Sequence, residues 1–352
     1  MILNENGRVP TKAFDYYESI FYAFYGKEIR ICDTDMRAAL ADVSEMIAIA
    51  DYLGCVNIIS KPVEVALLKH GQNLYRSIQS VPAQWAVMAY EIKSESIFRE
   101  AMIHLIGNWA RLKREAIERV RGYPAVRALV EKHHSIVVTK GRNLEKQVMS
   151  SYPGDIAAPS AHLPIKREEY SRDILVWIAL TFFRHWLGQR LITAHGHNSE
   201  DGGFELYRQL GTAGDAYMEK EVMNQFHTRF PMTKKAMNVV ENHLLEIKEC
   251  IKGIVDKHDI LATKCMLDIH KYPVPYLTCI EFVREDFPWL KDQEKGPAMV
   301  QGVKRGIRPG GNDIAKLNQE AAMRERDGLE DEDEDEEDEM DEDEARKRVR
   351  FE

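Results

Sequence analysis

At 352 residues the chain can build one large or two ordinary domains, and an apolar fraction of 44% excludes a globally disordered protein. The net charge of −9 misleads: setting aside the fourteen acids of residues 330–344, and the four bases and one acid of 345–352, leaves 44 basic and 42 acidic residues in 1–329. A near-neutral body excludes the basic footprint of a nucleic-acid-binding domain. Five widely spaced cysteines (Cys32, Cys55, Cys250, Cys265, Cys279), with no CxxC pair, predict free thiols in a reducing compartment. The N-terminus MILNENGRVP lacks the layout of a signal peptide, and the longest apolar stretch, Ile174 to Phe183, is interrupted at Thr181 and too short for a membrane span. The expectation is an intracellular protein of the nucleus or cytoplasm.

In chain order, Tyr17, Ile20, Phe21 and Phe24 recur at i, i+3, i+4 and i+7, the signature of one buried helical face, and Gly26 stops that helix. Residues 27–31 (KEIRI) form the one short strand-like run. Met36, Leu40, Val43, Ile47, Ala50 and Leu53 make a continuous helical stripe, with Arg37, Asp42, Glu45 and Asp51 off it. Asp33 and Asp35 sit where a helix start favours negative charge, and Gly54 closes the helix. Pro62 reads as lying just inside a short helix, 61–69. Further faces follow at Trp85, Met88, Ala89 and Ile92, and at Phe98, Ala101, Met102, Leu105 and Trp109. Residues 125–150 read as a long helix with a weaker stripe. Residues 168–192 are apolar on most sides, which predicts an internal helix. Ala236, Val240, Leu244, Ile247, Ile251 and Ile254 define a long amphipathic helix. The fold class is mainly α.

Punctuation sets the organisation. Residues 151–167, with three prolines, read as a linker, and 168–295 as a second helical domain. From Gly296 the chain turns Gly/Pro-rich and then strongly charged, so 296–352 is expected to be a disordered linker and acidic tail.

The run Phe24-Tyr25-Gly26-Lys27-Glu28-Ile29, followed by a helix ending IAIADYLGC (47–55) and a short helix around Val63–Leu68, resembles the BTB/POZ family. FREAMIHLIGNWARL (98–112) is similar to the helical extension of fungal BTB proteins. The resemblance implies a partial BTB/POZ-like region over residues 1–70, equivalent to the helical C-terminal half of that fold, and a helical extension over 71–150. A BTB front half finds no counterpart in the thirteen residues before Phe14, which points to a truncated gene model or a degenerate member.

Sequence motifs supply no catalytic, cofactor-binding or metal residues. His195-Gly196-His197 lacks cysteines at ligand spacing and reads as a polar loop; His133-His134 diverge by about 100° on a helix. Gly302 to Gly311 has no GK[ST] and no preceding strand, so it is not a phosphate loop. The aromatics Tyr16, Tyr17, Phe21, Tyr22, Phe24 and Tyr25 are the candidate protein-interaction residues, the Tyr17–Phe24 stripe weighing toward core and Tyr16, Tyr22 and Tyr25 falling off it.

The resulting expectation is a non-enzymatic, BTB/POZ-type interaction adaptor without cofactor, membrane or small-molecule substrate. Its partners would be protein, including further copies of itself and a basic protein at the acidic tail. The rival reading is a nuclear histone- or nucleic-acid-associated factor, resting on the acidic run 331–344 and the basic ARKRVR at 345–350. The helix-face assignment has a direct test. Ile47→Asp or Ala50→Asp places an unpaired carboxylate in the core at a cost of several kcal/mol, and is expected to abolish the cooperative thermal transition of the N-terminal helices.

Overall fold

A computed structural model describes residues 11–152 and 174–290. Residues 296–352, and most of the 151–167 linker, lie outside the described residues. The protein is mainly helical, with no strand among the described residues. Eight helices come first: α1 (Thr11–Phe24), α2 (Met36–Tyr52), α3 (Val56–Leu68), α4 (Gln72–Ser80), α5 (Pro82–Glu91), α6 (Glu95–Gly107), α7 (Arg114–Arg121) and α8 (Pro124–Ser150). Four follow the undescribed segment: α9 (Ile174–Ile192), α10 (Phe204–Thr212), α11 (Lys220–Arg229) and α12 (Lys234–His258). None of these helices is long and apolar enough to cross a membrane.

Two glycine stops shape the first third. At the end of α2 the N–H of Cys55 reaches Ala50 O and that of Gly54 reaches Asp51 O, with Gly54 at φ +70°. At the end of α1 the N–H of Lys27 reaches Tyr22 O and that of Gly26 reaches Ala23 O, with Gly26 at φ +66°. Both are Schellman closures, which any helix ending in a left-handed glycine forms. These closures lie in two of the segments that carry the BTB/POZ resemblance, and their geometry is generic. The expected strand at 27–31 is extended but unpaired, and Ile29 alone is buried there.

The α1 stripe is rotated from the expectation. Its buried face is Ser19, Ile20 and Ala23, with Tyr16 half-buried and donating its hydroxyl to Asp42 Oδ1 at 2.8 Å. Small side chains let α1 lie close on α2 and α3, so Tyr17, Phe21 and Phe24 turn outward. Asp42 is buried for the same reason, paired with Tyr16 and Lys12. Asp35 caps α2, accepting the N–H of Arg37 at 2.9 Å. Pro62 lies in the middle of α3, which starts at Val56, well before the expected position 61.

Helices α5 and α6 form the centre of the first core, with Trp85 and Phe98 wholly buried. Helix α8 joins the two cores: Val126, Leu129 and Val130 belong to the first, Leu144 and Val148 to the second, where they meet α9, α10 and α12. Beyond α12 the expected continuous helicity ends. Residues 259–283 form an irregular strap that runs back across both cores: Ile260, Leu277 and Cys279 enter the second core and Ile280 the first, where Phe287 and Trp289 follow just beyond it.

With no ladder of its own, the strap takes its hydrogen bonds from side chains on the helices. Glu100 of α6 accepts the N–H groups of Met266 (2.7 Å) and Leu267 (3.1 Å). Gln72 bonds Met266 O and Asp268 N reciprocally, Arg111 donates to Pro275 O, and Lys140 to Asp259 O. A Cβ at Gly107 would lie 2.3 Å from Leu277 O, so only glycine lets the strap cross the end of α6. Buried Asp286 then ties the last turn to α8 through Lys132 at 2.6 Å, with His133 3.2 Å away.

Burial lowers the pKa of His133 against the opposing pull of Asp286, and lowers that of His134. A histidine with a depressed folded pKa binds its proton more readily unfolded, so its stability contribution is complete above the unfolded value of about 6.5 and declines as pH falls below it. The melting temperature is expected to be flat at mildly alkaline pH and to fall between about pH 7 and 5. His134→Gln should flatten that fall in a pH series of thermal melts.

Candidate functional site

The apolar helix α9 is not internal. Ala179, Leu180, Phe183 and Leu187 fill the second core, while Ile174, Trp177, Ile178, Thr181, Phe182 and His185 line a groove on the other face. The opposite wall is α11, through Val222, Gln225, Phe226 and Arg229, with Phe230 and Met232 just beyond its end. The groove has a volume of about 890 Å³. Phe182 stacks on Phe226 at 4.4 Å, and Phe226 meets Phe230 at 5.1 Å. Phe230 remains 57% exposed, and Ile174 and Val222 are also exposed. Among the described residues of the lining, Arg229 and His185 are the titratable groups and there is no carboxylate.

What sets the position of α11 is a buried cation. Lys248 lies on the core stripe of α12 between Leu244 and Ile251 and is 2% exposed. Its ammonium donates to the carbonyls of Gly214 (2.6 Å), Tyr217 (2.7 Å) and Met218 (3.3 Å), and sits 5.0 Å from the Tyr217 ring. The loop carrying those carbonyls has three residues at positive φ, Ala213, Gly214 and Met218, which turn the oxygens inward. Tyr217 stacks on Trp186 of α9 at 4.8 Å, so the same loop fixes α11 against α9. Burial lowers the Lys248 pKa, opposed by Asp215.

The six aromatic candidates divide. Tyr16 and Tyr22 are half-buried, Tyr22 donating to Glu18 and lying under Lys27 and Arg30. Tyr17, Phe21 and Phe24 are exposed on one face of α1, joined by Phe14, which sequence reasoning did not single out, and Tyr25 is exposed in the turn just after the helix. Phe21 is 56% exposed and tilts against Phe24 at 6.4 Å.

The remaining polar clusters are occupied by the fold. His195 is exposed beside Thr193, whereas the half-buried His197 meets Glu145 through both its backbone N–H and Nδ1, at 2.6 Å each. Tyr207 donates to the same carboxylate at 2.7 Å, and burial pushes its pKa up. Ser199 and Asp201 accept the Gly203 N–H at the start of α10. Among the described residues, Glu100, His104 and Cys265 are the set whose ligand atoms converge, all within 4.8 Å. Glu100 is already held by two strap N–H groups; His104 lies between Glu100 Oε1 (3.2 Å) and the Tyr276 hydroxyl (2.9 Å). Burial pushes the Cys265 thiol up to about 11. This trio reads as a structural tie.

A helical module presenting an aromatic groove is the class of structure that the second core defines. Residues 153–258 match the family model of the FF domain in its fungal form, a helical protein-interaction domain. The match ends at His258, the last residue of α12. It overturns the BTB/POZ resemblance: the family matched is the FF domain, and no BTB model matches. No curated protein and no solved structure matches the chain.

Lys248→Met is expected to lower the melting temperature markedly, since it leaves three loop carbonyls without their donor at about 1–3 kcal/mol for each that stays buried. Amide hydrogen exchange in residues 213–230 should rise more than in α5 and α6.

Proposed function

We infer that the chain is a non-enzymatic interaction protein that holds a protein partner in the groove between α9 and α11. The observation that carries this reading is the aromatic groove itself, partly exposed and set within the FF-matched residues. An apolar concavity of this size, floored by aromatic rings, gains free energy by covering them with a partner's side chains. The non-enzymatic reading draws support from the polar clusters, whose carboxylates and imidazoles are engaged in tying loops to helices. Five free thiols support a reducing location, nucleus or cytoplasm. The acidic run 330–344 adds a contact for a basic partner.

A photo-crosslinking amino acid at Val222, on the groove rim, tests the reading in cells. Light-dependent adducts to protein are expected, and they should be lost when Phe230→Ser is added, a change that should leave the thermal melt intact. Adducts to nucleic acid alone, or none, would refute it.

A further inference from the structure

The structure presents, on the same chain, both an apolar groove and a helix shaped to enter one. Helix α1 buries one face and exposes the opposite one, where Phe14, Tyr17, Phe21 and Phe24 form a single stripe, with Tyr25 exposed in the turn just after it. A stripe of this bulk on a surface helix marks a contact site. From Phe14 to Phe24 it advances ten positions, about 15 Å of helix. The groove residues on α9, Ile174 to His185, advance eleven positions, a similar length of about 16 Å.

Charge agrees with shape. Between Ala13 and Gly26 the titratable groups besides tyrosine are two exposed carboxylates, Asp15 and Glu18, with no base. Glu18 follows Tyr17 at the edge of the aromatic stripe. Among its described residues the groove carries Arg229 and His185 and no acid. Resting on the reading of the groove as a docking surface, we propose that its occupant is α1 of a second copy of this chain, with Phe21 and Phe24 against the Phe182–Phe226–Phe230 floor and Glu18 facing Arg229. Such a contact is heterologous: the donor surface and the acceptor surface are different patches, so each copy offers one of each.

That asymmetry makes the test decisive. The full-length chain is expected to associate with rising concentration in sedimentation velocity. Phe21→Ser, which spoils only the helix, and Phe230→Ser, which spoils only the groove, should each run as a monomer. An equimolar mixture of the two should form a 1:1 heterodimer, because one copy retains the groove and the other the helix. Arg229→Glu should likewise abolish association, and mixing it with a Glu18→Arg copy should restore it. All four side chains are exposed, and unchanged melts would confirm intact folds. A wild-type chain monomeric at every concentration overturns the proposal. So does self-association that survives Phe230→Ser, which would indicate symmetric pairing of like surfaces, or a mixture of the two serine variants that stays monomeric. If the chain is monomeric while Val222 still crosslinks to a different protein, the docking groove stands and only its occupant is wrong.

Discussion

The fold depends on a carboxylate buried in the first core that serves a segment more than 160 positions further on. After α12 the chain returns across both cores without regular secondary structure, and its backbone groups would be expensive to bury unbonded. Glu100 resolves this by accepting two consecutive N–H groups, and Gln72, Arg111 and Lys140 repeat the device along the strap. The strap feeds Leu277 and Cys279 to one core and Ile280 to the other, where Phe287 and Trp289 follow just beyond it, so the two cores close on a shared element. Helix α8 does the same from the other side.

The FF-matched region therefore does not stand apart from the helices before it. Its groove is formed by α9 and α11, yet the packing behind α9 includes Leu144 and Val148 of α8. Within the region, Lys248 plays the part that Glu100 plays in the first core: a single charged side chain whose hydrogen bonds shape an irregular loop. Both loops lie beside functional geometry or beside the joint between cores, where precision of backbone placement matters most.

Much of the helical frame was legible in the sequence. The middles of the stripes on α2, α5, α6 and α12 are buried, because large apolar residues at helical spacing have few other places to go, whereas Leu53, just past the end of α2, is exposed. Helix α1 was misread by rotation, since its buried face uses Ser19 and Ala23, and small residues carry no hydrophobic signal. Helix α9 was misread in the opposite sense: two apolar faces look like full burial, whereas one belongs to a groove. Nothing local could reveal the strap, whose partners lie far away along the chain, or the Lys248 cradle, since a lysine on an apolar stripe reads as an interruption. The BTB/POZ likeness drew in part on two glycine closures that are properties of helix ends in general.

The strap also fixes a temporal order. Glu100 leaves the ribosome long before Met266 and Leu267, so the earliest helices emerge with a hydrated carboxylate in the middle of their future interior. Sealing α6 must await the arrival of the strap, by which time every helix of the FF-matched region has been synthesised. Both cores thus wait on the same late element: a nascent chain halted near residue 258 would lack Ile260, Leu277 and Cys279 of the second core as well as Ile280, Phe287 and Trp289 of the first.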